Sequence, residues 1–135
     1  MRGTTPSHEV RLIFVDTSVW IDHLRKSDET LRTLLETGQV LTHPFVIGEL
    51  ALGSLGNRDR VLRLMDDLPT ASQATDQEVR AFIESHGLAG SGVGYVDVHL
   101  LAAARLSGVA LWTRDKRLLS IANDCGLATT RHHLS

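Results

Sequence analysis

The chain has 135 residues and a mass of 14.8 kDa, 42% of its residues are hydrophobic, and its net charge is −2. A chain of this length buries roughly 68% of its unfolded surface, which suits one globular domain over 1–135 and excludes a disordered or strongly basic protein. A single cysteine excludes a disulfide framework and favours a reducing cytoplasm, while the longest aliphatic run, residues 100–104, is far shorter than the ~20 residues of a membrane span.

Short apolar strands and amphipathic helices alternate along the chain. Residues 1–10 are polar and predict a flexible tail that lacks the apolar segment of a signal peptide. The patterns after it predict, in chain order, a strand at 11–15, helices at 17–25 and 28–38, a strand at 39–42, helices at 44–53 and 57–68, a strand at 70–74, helices at 76–87 and 95–107, a strand at 109–113, a helix at 115–124 and a strand at 127–130. This alternation predicts an α/β fold with a central, mostly parallel sheet flanked by helices.

Four acidic residues stand where such a fold builds its functional sites. Asp16 directly follows the first strand and Asp115 follows the strand at 109–113, so both belong to the edge where carboxyl ends of parallel strands meet. Asp97 lies in the first turn of a helix. Glu49 lies in an apolar helix, where an unpaired buried carboxylate is costly. One shared metal site explains all four, and oxygen ligands without a histidine pair favour Mg²⁺, or Mn²⁺, over Zn²⁺.

Each of these acids also has a purely structural interpretation. Asp16 and Asp115 suit the caps of the helices that follow them, and Asp97 suits a first-turn acid stabilised by the helix dipole. A metal held by the four acids would lower the pKa of a bound water and stabilise a phosphodiester under attack. The remaining charge is mildly basic (14 − 12 = +2), and Arg114 and Lys116, on either side of Asp115, are candidates to hold substrate phosphates.

Four blocks of the sequence, in this order, resemble the PIN-domain family and, within it, the VapC toxins of type II toxin–antitoxin modules. They are Val-Asp-Thr-Ser at 15–18, Pro-Phe-Val-Ile-Gly-Glu-Leu at 44–50, the helical segment 96–104, and Leu-Trp-Thr-Arg-Asp-Lys-Arg-Leu at 111–118. The resemblance spans about 12–130. It implies a PIN-like fold and a Mg²⁺-dependent endoribonuclease that cleaves transfer or ribosomal RNA and so inhibits translation and growth. It also implies a VapB-like antitoxin partner and a homodimer.

The same resemblance implies roles for individual residues. Asp16 and Asp97 match the principal metal ligands, and Glu49 and Asp115 would complete the acidic pocket directly or through water. Thr17 and Thr113 match small hydroxyl positions beside the site and are expected, with Arg114 and Lys116, near the substrate.

Alternative functions remain open from the residues. A non-catalytic PIN-like domain that binds RNA or a partner would typically lack one of the acids, and none is missing here. A dehalogenase-like phosphatase needs an acid where Ser18 stands. His43, close to Glu49 in sequence, remains a weaker site candidate, whereas His99 is expected to pack or to contact a partner. The glycine-rich segment 90–94 lacks the Gly-Lys-Ser/Thr of a phosphate loop and predicts a turn.

Overall fold

Three strands and seven helices make up residues 11–129, the part of the chain that the computed structural model describes. In chain order they are β1 (Ile13–Val15), α1 (Thr17–Arg25), α2 (Glu29–Glu36), β2 (Val40–Leu41), α3 (Pro44–Leu52), α4 (Arg58–Asp66), α5 (Asp76–Ser85), α6 (Tyr95–Ser107), β3 (Ala110–Trp112) and α7 (Lys116–Asp124). The predicted tail 1–10 and the last residue of the predicted strand 127–130 lie outside the described residues.

The sheet is parallel throughout and has the order β2-β1-β3. Ile13 of the central strand pairs with Val40 on one side and Ala110 on the other, and every residue of β1 is buried. Helices lie between successive strands, as parallel connections require. The predicted α/β architecture with a parallel sheet is therefore confirmed.

Two predicted strands shrink to single parallel bridges at the edges of this sheet. Thr70 pairs with Thr42, and Ala128 pairs with Leu111. The strand predicted at 70–74 does not extend beyond its bridge because the chain beside it turns into α3 at Pro44, and the Ser72 N–H donates to a side chain, Ser107 Oγ (2.8 Å). Alternation of apolar residues alone did not reveal that side-chain partner.

Helix caps set most of the element boundaries. Asp16, Asp28 and Asp115 each occupy the N-cap of a helix and accept a backbone N–H from its first turn. The helix predicted at 76–87 begins at Asp76 as expected, and its cap is Thr75, which forms a capping box with Glu78. These caps fix the direction in which each helix leaves the sheet edge.

The core surrounds the central strand β1 and includes much of the long helix α6. Leu100 and Leu101 are fully buried, as is Phe14 of the central strand, and Trp20 of α1 is 1% exposed. Within residues 11–129, no helix is long and apolar enough to cross a membrane. The packed core holds the carboxyl ends of β1 and β3 beside the N-terminus of α6, and these three positions carry Asp16, Asp115 and Asp97.

Candidate active site

Asp16 is held rigidly at the end of the central strand and is only 5% exposed. Its backbone N–H donates to the carbonyl of Trp112 (2.9 Å). Its Oδ2 accepts hydrogen bonds from Ser18 Oγ (2.7 Å) and Thr113 Oγ1 (2.8 Å), and a longer one from the Ser18 N–H (3.3 Å). All the side-chain hydrogen bonds that residues 11–129 give this carboxylate go to Oδ2, so Oδ1 is the oxygen available to a ligand.

The segment after β3 brings Asp115 to the same edge of the sheet. The Asp115 N–H donates to Thr113 Oγ1 (3.1 Å), the hydroxyl that also donates to Asp16. Asp115 Oδ1 accepts the Leu118 N–H (2.9 Å) and caps α7. Capping uses one oxygen of each aspartate, so a structural role for Asp16 and Asp115 and a ligand role are compatible.

Glu49 reaches the site from α3 through a hydrogen bond with Thr17, whose Oγ1 donates to Glu49 Oε1 (2.7 Å). The prediction of apolar surroundings for Glu49 is wrong, because the structure leaves this side chain exposed. Val46 and Leu50 form the buried stripe of α3, and hydrophobic residues on its other faces do not enclose the carboxylate. Water therefore solvates Glu49, and its position owes more to Thr17 than to packing.

Asp97 lies in the first turn of α6 and is half-buried. Residues 11–129 offer its carboxylate neither a hydrogen bond nor an ion pair. Burial, and after it the negative charges of Asp16, Asp115 and Glu49 in that order, together raise the pKa of Asp97 to about 6. The four predicted acids therefore lie close enough to repel one another through one shared electrostatic environment.

The four residues predicted near the substrate differ in what they contact in the structure. The Thr17 and Thr113 hydroxyls both donate to site carboxylates. The Arg114 guanidinium donates to Asp22 Oδ2 (2.9 Å) and to Asp28, and these hydrogen bonds, Asp28 first, raise its pKa. Lys116 is exposed at the start of α7.

Sequence reasoning missed Ser18, Asp22 and Asp28 as parts of this network. Ser18 carried a local signal, since it follows Asp16 by two residues at the start of a helix. The ion pairs of Arg114 span 92 and 86 residues, and nothing in the local pattern points to them.

The two central histidines serve the scaffold in the described structure. His43 is 1% exposed, and its Nδ1 accepts the Phe45 N–H (3.0 Å) as the cap of α3. Burial, and to a smaller extent the charge of His99, lower the pKa of His43 to about 4, so its ring is neutral near pH 7. His99 is buried between the rings of Phe45 and Tyr95, with centroids 5.0 and 4.8 Å away, which agrees with the expected packing role.

A parallel α/β sheet with acids gathered at the carboxyl ends of β1 and β3 is the arrangement that the resemblance to PIN domains implied. Residues 13–124 match the family described as PIN domain, and the chain belongs to that family. It is 47% identical over 118 residues to the proteins named Ribonuclease VapC32 of two Mycobacterium tuberculosis strains, covering 87% of this chain and 95% of each relative. The predicted relationship to VapC proteins is confirmed.

The fold also has a match among solved structures. A chain in the crystal structure of FitAcB from Neisseria gonorrhoeae superposes with a TM-score of 0.54 at 20% identity, covering 83% of this chain and 94% of that one. At this level of identity the likeness concerns the fold alone, and it supports the predicted PIN-like architecture.

Proposed function

We propose that this chain is an endoribonuclease and the toxin of a VapBC-type toxin–antitoxin module. The observation that carries the proposal is the Asp97 carboxylate, which faces three other carboxylates and has no cation partner among residues 11–129. An arrangement of this kind costs stability, and functional sites commonly retain such costs. Similarity to two proteins named ribonucleases supports RNA as the substrate.

The donor set fits a hard divalent cation, Mg²⁺ or Mn²⁺. Within the described residues, no three acidic, histidine or cysteine side chains stand close enough to hold a metal ion as they are. Mg²⁺ suits this open arrangement because it keeps several waters and takes only one or two carboxylates directly. We assign Asp16, through Oδ1, and Asp97 as direct ligands, and Glu49 and Asp115 as partners of the bound waters. When bound, the ion would supply an activated water and offset charge on the phosphodiester.

The remaining polar residues orient these acids. Ser18 and Thr113 hold Oδ2 of Asp16, so its other oxygen keeps one direction. Thr17 holds Glu49 near the same place. Hydrogen bonds from neighbouring side chains to metal-binding carboxylates fix the geometry of these ligands and tune metal affinity. Lys116 is exposed beside Asp115, which supports it as our candidate for an RNA phosphate contact.

We further propose a VapB-like antitoxin as partner, a homodimeric toxin and a cytoplasmic location. An apolar groove of about 480 Å³ runs beside the site, and Ile21, Leu24, Glu49 and Leu50 are among its lining residues. Ile21 and Leu24 are each 37% exposed, so a partner helix would bury them. A basic partner side chain that follows the groove to Glu49 would compete with the metal for the carboxylates.

Purified, antitoxin-free protein tests the ribonuclease proposal directly. We expect it to cut a pool of transfer and ribosomal RNA with Mg²⁺ or Mn²⁺ and to stop when a chelator is added. Asp97→Asn should abolish cleavage, and the control Asp124→Asn, an exposed acid at the end of α7, should not. Cleavage that survives full chelation would refute the metal mechanism. RNA binding without cleavage would favour the non-catalytic alternative.

A further inference from the structure

Arg114 connects the site to the first two helices through both its side chain and its main chain. Its guanidinium donates to Asp22 Oδ2 of α1 (2.9 Å) and to Asp28, the N-cap of α2. Its backbone N–H donates to Ser18 Oγ (2.9 Å), and that hydroxyl donates to Asp16. The flanking Thr113 and Asp115 both belong to the candidate site.

The groups that bind the Arg114 guanidinium are themselves held in place. Asp28 uses Oδ1 to accept the Leu31 N–H (2.9 Å) and leaves Oδ2 for Arg114. The guanidinium carbon lies 5.4 Å from the ring centroid of Trp112, which is 7% exposed. Two carboxylates and an aromatic face hold this planar group in one orientation, a recognition that lysine would not reproduce.

We propose that Arg114 is a positioning residue that locks the 113–115 segment, so that Thr113 holds Asp16 and Asp115 faces the site. Its effect on cleavage rests on the proposed ribonuclease function. The geometry supports this role, because the guanidinium is bound by Asp22 and Asp28, away from the four acids, and only the Arg114 backbone N–H joins the hydrogen bonds around Asp16.

A direct phosphate contact by Arg114 is the competing assignment. An RNA phosphate at the guanidinium would have to displace Asp22 or Asp28 and would face the negative charge of both. The Arg114 side chain is 36% exposed, and its hydrogen bonds to protein carboxylates are already charge-assisted. Lys116, two residues on and exposed, offers a phosphate contact without that cost.

The kinetic test compares removal of the Arg114 guanidinium with removal of the negative charges of its two partners, Asp22 and Asp28. Arg114→Gln and the double variant Asp22→Asn/Asp28→Asn should each lower kcat about 10–100-fold with little change in KM. Asparagine at position 28 keeps the N-cap of α2, so the double variant isolates the ion pairs. The triple variant should be no slower than Arg114→Gln, because the single and the double variant each remove the same two ion pairs.

Two comparison variants separate this role from general effects. Arg32→Gln removes an exposed ion pair with Glu29 (3.7 Å) in α2 and should leave cleavage unchanged. Lys116→Gln should raise KM, the signature expected of a lost phosphate contact. If Arg114→Gln also raises KM and leaves kcat unchanged, the positioning role is wrong.

Amide hydrogen exchange of the metal-free protein, followed by NMR, gives a readout that does not need activity. The Arg114 and Asp115 amides, which donate to Ser18 Oγ and Thr113 Oγ1, should exchange about tenfold faster in Arg114→Gln and in the double variant. They should not change in Arg32→Gln. If the wild-type protein cleaves no RNA, the proposed function fails, and amide exchange alone tests whether Arg114 holds the 113–115 segment. Unchanged exchange in Arg114→Gln would overturn the proposal in either case.

Discussion

The electrostatic cost of the site predicts that Asp97→Asn raises stability and abolishes cleavage. The pKa of Asp97 is raised from 3.8 to about 6 by burial and by three neighbouring carboxylates. A shift of about two units corresponds to roughly 3 kcal/mol, which we halve to about 1–2 kcal/mol because the side chain is half-exposed and water screens it. The lost attraction between Asp97 and the α6 N-terminus costs about 0.3–1 kcal/mol, so a net gain of about 1 kcal/mol remains.

The pH dependence of this gain has a definite sign. The folded protein holds the proton of Asp97 more tightly than the unfolded chain, so the Asp97 contribution favours folding below about pH 4 and is lost as pH rises through about 6. The amount by which the unfolding free energy of Asp97→Asn exceeds that of wild type should therefore increase between pH 4 and 6 and stay constant above that range.

Thermal unfolding in chelator, across pH 4–8, measures this difference. A gain of about 1 kcal/mol should raise the Tm of the variant by roughly 3–6 °C at pH 7.5. Added Mg²⁺ should stabilise wild type and not the variant, because only the wild-type site binds it. Asp124→Asn, measured in parallel, should show neither effect. A variant that is less stable than wild type at pH 7.5 in chelator would refute the electrostatic reasoning and favour a first-turn role for Asp97.

Three further predictions concern the same site and its scaffold. At low Mg²⁺ the rate of cleavage should fall toward acid pH with a midpoint near pH 6. Saturating Mg²⁺ should move that midpoint to lower pH, since the metal binds the deprotonated Asp97. A pH–rate profile without this metal-dependent shift would argue against Asp97 as a ligand. His43→Asn should flatten the pH dependence of the unfolding free energy between pH 4 and 6.5, because the lowered pKa of His43 makes its contribution present above 6.5 and lost toward 4; denaturant titrations at several pH values test this. Asp115→Asn should keep the α7 cap and its stability, whereas Asp115→Ala should lose about 1 kcal/mol, and both should lose cleavage, as unfolding and RNA assays can show.

Local signals predicted the elements well where a cap or a glycine marks their ends. The bounds of α6, Tyr95–Ser107, match the prediction because Gly108 ends the helix in the left-handed region at φ 65. The reduction of the predicted strand 70–74 to one bridge was not predictable, since it depends on the neighbouring segment, which turns into α3 at Pro44. Sequence pattern describes each segment, and tertiary partners decide between local alternatives.

The same limit applies to the candidate site. Asp16 and Asp115 were predicted to meet because they follow parallel strands, whereas Glu49 was added for its apolar surroundings and Asp97 for its place at a helix start; the raised pKa of Asp97 is consistent with the grouping. The partners of Arg114 were not predicted, because a charge pair separated by about 90 residues leaves no periodic signal. Its basic character alone suggested a phosphate contact, and only the placement of Asp22 and Asp28 favours a different role.

Helix caps explain how a short chain gathers these acids without dedicated scaffolding. Asp16 and Asp115 each begin a helix, so one oxygen of each is fixed by a hydrogen bond that the fold needs in any case. A carboxylate bound in this way has little rotational freedom left to lose when its second oxygen takes a ligand. Asp97 has no such bond among the described residues and carries the electrostatic cost instead. The hydrogen bonds of Asp16 and Asp115 therefore fix the geometry of the site, whereas the repulsion that a bound cation would relieve is felt at Asp97.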